Sequence, residues 1–138
     1  MQFYLIIYSA CVIFGAIISI QDIVRKFVNI VPLIGFTISC IFTYQINHNF
    51  CLLPLITFIG ITIICFLINK RKVAGSADFF VMTGISFLIP EEGWYVFMII
   101  CGTFGILSHI VTKEKKIPFI PIMMLSVIIV NIVWKILL

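Results

Sequence analysis

The chain has 138 residues, of which 63% are hydrophobic and only 10% charged, whereas a water-soluble domain carries roughly 25% charged residues. So few polar side chains cannot cover a surface in water, and the chain is expected to sit in a lipid bilayer as one domain spanning 1–138. The net charge of +4 does not mark a nucleic-acid partner, because the basic residues fall in short groups between apolar runs.

Apolar runs of roughly 18 or more residues are long enough to span a bilayer. Taken in chain order, they predict an all-α, polytopic bundle of six transmembrane helices. The first runs from about Phe3 to Asp22. It has neither a basic n-region nor a small-residue cleavage site leading into a soluble domain, so it is not expected to be a cleavable signal peptide. The second covers about Phe27 to Ile46, with Pro32 near its start, and the third about Phe50 to Asn69. The fourth, about Gly75 to Ile89 and ended by Pro90, is the weakest and is expected to be short, tilted or partly re-entrant. The fifth covers about Trp94 to Val111, and the sixth about Ile117 to Leu138.

The charges sort with this helix count. Arg25 and Lys26 lie between the first two helices. Lys70, Arg71 and Lys72 lie between the third and fourth, and Lys113, Lys115 and Lys116 between the fifth and sixth. Eight of the nine basic residues therefore share one side, and only Lys135 stands apart. The positive-inside rule makes that side cytoplasmic and puts both termini outside. Trp94 and Tyr95 then fit an outer interfacial belt.

Asp22 and Asp78 are the chain's two aspartates, and both fall at the cytoplasmic boundary. A carboxylate at the edge of hydrocarbon is costly unless hydrated, paired or neutralised, so each is a functional candidate. Peptide hydrolysis would use the pair: one ionised carboxylate takes a proton from water while the other, protonated, hydrogen-bonds the carbonyl oxygen. Asp22 closes a helix, where the dipole disfavours negative charge, and Asp78 opens one, where it is favoured. Asp22 is thus the expected protonated partner. The plainer readings are a first-turn carboxylate at Asp78, with Ser76 as N-cap, and a solvated interfacial carboxylate at Asp22.

Three stretches resemble the type IV prepilin peptidases, a family of GxGD aspartyl proteases. Asp22-Ile23-Val24-Arg25-Lys26-Phe27-Val28-Asn29 is similar to the family's Asp, basic residues, then Ile-Pro-Asn. Gly75-Ser76-Ala77-Asp78 resembles GxGD, with Ala77 in place of the second glycine. Ile117-Pro118-Phe119-Ile120-Pro121 is similar to the Pro-Phe-x-Pro start of the last helix. Three further departures are the missing Pro before Asn29, an Asp-to-Asn spacing one residue short, and Phe80 where the family commonly has lysine.

The resemblance implies an aspartic endopeptidase with Asp22 and Asp78 as catalytic residues. It would remove the basic leader of prepilin-like membrane proteins, Flp-type pilins among them, at the cytoplasmic face of the inner membrane. No paired cysteines match the N-methylating segment of larger members, so peptidase activity alone is expected.

Gly75, Ser76 and Ala77 are expected to let a substrate strand approach the aspartates, or to pack helices closely. Arg25 and Lys26 set topology or stabilise an ionised aspartate. Asn29 packs between helices or orients the site. His109 is a packed or solvated residue. The scattered cysteines form no C-x-x-C pair, and neither metal nor cofactor is expected. The competing reading is a non-enzymatic transport or assembly subunit on a degenerate prepilin-peptidase scaffold, with an aspartate as a proton or cation site.

Overall fold

The computed structural model describes residues 2–48, 50–69, 75–113 and 117–137, with Asn69 described in its backbone alone. Lys70, Arg71, Lys72, Lys115 and Lys116, on which much of the charge argument rests, lie outside these residues. The described residues form six α-helices and no strand: α1 (Gln2–Arg25), α2 (Ile30–Asn47), α3 (Leu53–Asn69), α4 (Ser76–Ser86), α5 (Trp94–Thr112) and α6 (Phe119–Leu137). A 3₁₀ turn, Glu91–Gly93, leads into α5.

Local chemistry sets the helix ends. α2 starts at Ile30 rather than near Phe27 because Asn29 caps it, its Oδ1 accepting from Val31 N at 3.2 Å. Pro54 and Pro121 occupy first turns, where the missing N–H costs no intrahelical bond. α4 stops at Ser86, a turn ahead of Pro90, which disfavours helical backbone before it. α1, α2 and α5 each end on a left-handed non-glycine residue: Lys26 (φ 52°), His48 (φ 53°) and Lys113 (φ 51°). In each, the N–H bonds back to the carbonyl four residues earlier.

Four helical segments are long and apolar enough to cross a membrane: α1, α2, the 3₁₀ turn with α5, and α6. α3 has 17 residues and α4 only 11, so α4 is about 16 Å long at 1.5 Å per residue, against about 30 Å of hydrocarbon. This short helix starts exposed at Gly75 and Ser76 and sinks into the bundle from Val81 onward. α4 packs on α2, α3 and α6, and Val81, Met82, Ile85 and Ser86 are almost completely buried. α1 lies against α2 and α6, and α5 lies against α6. The core joins Ile18, Phe36, Val81, Ile85, Phe97, Ile120 and Met123.

The outer surface is apolar, with residues such as Ile68 (73% exposed), Val111 (79%) and Ile136 (76%) facing outward. In water that would be an aggregation surface; in lipid it is the ordinary one. Lipid also leaves hydroxyls nothing to bond, and the helices satisfy their own. Thr37, Ser39, Thr62, Thr83 and Ser126 each donate to the carbonyl four residues back.

Candidate active site

Asp22 lies in the last turn of α1 and is half-buried. Its Oδ2 accepts a hydrogen bond from the backbone N–H of Ile120 at 3.2 Å. Ile120 is the second residue of α6, where N–H groups have no partner within their own helix and the dipole is positive. A carboxylate at the unfavourable end of its own helix is thus held by the favourable end of another. This corrects the expectation drawn from α1 alone. With α6 opposing α1, the helix dipoles no longer single out Asp22 as the protonated partner.

The chain around Asp22 is fixed locally. Lys26 N donates to the Asp22 carbonyl at 3.2 Å, closing the left-handed end of α1. Asn29 N donates to Gln21 Oε1 at 2.9 Å, and Asn29 Oδ1 caps α2. Asn29 therefore builds the α1–α2 turn, bonded through its N–H to the residue beside Asp22. Gln21 escaped the sequence reading, since its only signal is a lone amide beside an aspartate. Arg25 and Lys26 are both exposed.

Asp78 is the third residue of α4 and half-buried. Its Oδ2 accepts from Gly75 N at 2.8 Å, and its own N–H donates to Gly75 O at 3.2 Å. The N-cap is therefore Gly75; Ser76, expected in that place for its hydroxyl, is the first helical residue. Asp78 does perform the first-turn role that the plainer reading gave it. Gly75 has extended backbone (φ −86°, ψ 167°), and among the described residues a Cβ there would meet only Asp78 Oδ2, at 3.7 Å. Ala77 lies within α4 in helical backbone, and no described glycine has positive φ. The substitution of the second motif glycine thus creates no strain.

A single ring links the neighbourhoods of the two carboxyls. Phe79, next to Asp78, meets Phe58 of α3 edge-on with centroids 5.2 Å apart. Phe119, next to Ile120, stacks on the same ring at 6.3 Å. The end of α1, the start of α4 and the start of α6 therefore share one end of the bundle. Asn29 stands at the α2 cap beside Gln21, and His109 is exposed near the end of α5. Among the described residues no group of three His, Cys, Asp or Glu could hold a metal ion.

The helical bundle with apolar outer faces is that of a multi-pass membrane protein, and comparison with known families gives its class. The type IV leader peptidase family matches residues 9–111. The chain belongs to that family, which makes it a prepilin-type leader peptidase in general terms. The matched span contains Asp22 and Gly75–Asp78 and ends before the Ile117–Pro121 stretch that meets Asp22. No curated protein and no solved structure matches the chain.

Proposed function

We propose that the chain is an aspartic-type intramembrane endopeptidase, a single transmembrane domain in which Asp22 and Asp78 together hydrolyse the peptide bond between a basic leader and the hydrophobic helix of a prepilin-like protein. The observation that carries this reading is the bond from α6 to the Asp22 carboxylate, at the end of the bundle where Asp78 opens α4. Chain-remote acids share a membrane boundary there, and the backbone N–H groups beside them belong to helix starts, which favour negative charge.

In the proposed reaction one carboxylate takes a proton from water as the water oxygen bonds to the scissile carbonyl carbon. The partner carboxyl donates a hydrogen bond to the carbonyl oxygen as it becomes an oxyanion. The C–N bond then breaks, and the nitrogen leaves with a proton from the carboxyl that had collected it. Two acids that exchange one proton serve both steps. Gly75, Ser76 and Ala77 form the small-residue edge along which substrate backbone approaches, and the Gly75 N–H orients Asp78. Arg25 and Lys26 serve orientation in the membrane, and Asn29 serves the turn below Asp22. The crossings number six, with α4 inset, the acidic end facing the cytoplasm and both termini outside the inner membrane. The small form fits Flp-type substrates.

The test is co-expression with a prepilin-like substrate and mass analysis of the new amino terminus. Leader removal that disappears in both Asp22→Asn and Asp78→Asn supports the reading. An intact leader in the presence of the unaltered, membrane-inserted chain favours a transport or assembly subunit instead.

A further inference from the structure

All five cysteines carry free thiols, and the fold sets Cys11 and Cys40 side by side. Cys11 lies near the middle of α1 and Cys40 near the middle of α2, the two helices with the most extensive contact among the described residues. Both are almost completely buried. No C-x-x-C spacing announces the pair, which exists only because α1 packs on α2.

Two further features separate this pair from ordinary apolar packing. The first is a polar neighbour. Cys11 Sγ lies 3.6 Å from Thr43 Oγ1. The Thr43 hydroxyl donates its own proton to Ser39 O at 3.0 Å, so its oxygen accepts from the Cys11 thiol. The second is access. A cavity of about 150 Å³ occupies the end of the bundle remote from the aspartates. Its wall includes Tyr8 and Thr43, each about one turn from one of the two cysteines. One water needs roughly 10–15 Å³ of such space, so a molecule of a few atoms fits against Thr43, the group that touches Cys11.

We propose that Cys11 and Cys40 form an oxidisable dithiol that closes to a disulfide between α1 and α2, with hydrogen peroxide as the oxidant. The Cys11 sulfur attacks one peroxide oxygen and the O–O bond breaks. The thiol proton passes by way of the Thr43 hydroxyl to the departing oxygen, which leaves as water. The Cys40 sulfur then displaces the hydroxyl of the Cys11 sulfenic acid, forming the S–S bond, and that hydroxyl leaves with the Cys40 proton as a second water. Two thiols are oxidised and one peroxide is reduced to two waters. Every reactant and product is neutral, which suits a site inside an apolar bundle. The bond ties α1 to α2 at the level where α2 meets α4, since a Cβ at Gly84 would lie 3.2 Å from Cys40 Sγ. The site is independent of the aspartates and stands whatever chemistry they perform.

The test treats the full chain, reconstituted in bilayers, with hydrogen peroxide. The chain is then denatured, alkylated and digested without reductant for peptide mass analysis. The expected result is a cross-linked peptide pair joining Cys11 to Cys40, two hydrogens lighter than its separate parts. Alkylation is lost at those two residues and returns after dithiothreitol, while Cys51, Cys65 and Cys101 form no cross-link. Cys11→Ser and Cys40→Ser each abolish the product. Thr43→Val keeps both thiols but slows its formation, an effect that proximity of the sulfurs alone would not produce. Full alkylation of Cys11 and Cys40 after peroxide, a cross-link to another cysteine in their place, or an equal yield from chain denatured before treatment overturns the proposal. A rate unchanged in Thr43→Val overturns the proton route through that hydroxyl.

Discussion

At residue scale, the departures from the GxGD pattern have a structural account. Ala77 is helical, in a position where glycine would bring no conformational benefit. Restoring the second motif glycine with Ala77→Gly is therefore expected to cost about 0.5–1 kcal/mol of stability, the usual penalty of glycine within a helix. Thermal unfolding in detergent reads it, and a gain in stability would show that the motif needs glycine's backbone freedom here. Lys113 is the converse case. It holds φ at 51°, outside the candidate site, where an L side chain is strained by roughly 1–2 kcal/mol. Lys113→Gly should raise the unfolding temperature measured in the same way.

Local sequence made much of this legible. The two acids, the small residues before Asp78 and the cap-forming type of Asn29 are visible in the string. The donor to Asp22 was not, because it is a main-chain N–H belonging to a helix nearly a hundred positions away. A backbone amide has no side-chain signature, and the only trace is the Pro118/Pro121 pair marking where α6 begins.

At the scale of elements, α4 is the piece on which the site depends, and it is the shortest helix. Periodicity gave its existence and its weakness but not its end at Ser86. What holds it is close approach rather than hydrophobicity, since lipid is as apolar as a neighbouring helix. Gly84 shows this: a Cβ there would lie 2.7 Å from Phe36 Cε1 and 3.2 Å from Cys40 Sγ. Gly84→Leu should push α4 off α2, destabilise the bundle and lower leader cleavage in parallel. Wild-type stability of that variant would show that the α2–α4 contact is not tight. Phe58 is the other junction, carrying Phe79 on one edge and Phe119 on its face. Phe58→Ala removes the shared support, and displacement of reacting groups by about an ångström costs on the order of a hundredfold in rate. Turnover at saturating substrate should fall accordingly, while unaltered turnover would mean that the ring is only packing.

At the scale of the whole molecule, composition already implied a helical membrane protein, and the alternation of basic groups supplies the orientation proposed for it. Length alone supports four spanning segments, with α3 and α4 shorter. The sequence already marked the fourth helix as short; what it did not show is that α3 begins only at Leu53 and so spans 17 residues. The orientation proposed here predicts that cysteines introduced at Lys26 and Lys113 react with an impermeant thiol reagent only from the cytoplasmic side, and one at His48 only from outside. Labelling of all three from one side would break the alternating topology.

Asp22 and Asp78 acting as one catalytic unit is the claim on which the functional account turns. The most direct measurement is the rate of leader removal by the purified, reconstituted chain, compared among Asp22→Asn, Asp78→Asn and the double variant. Residues that work as a unit lose function non-additively. Each single change should lower the rate by about a thousandfold or more, and the double change should lower it no further. Cleavage surviving either single substitution at near its original rate, or losses that multiply in the double variant, would contradict a shared aspartyl site.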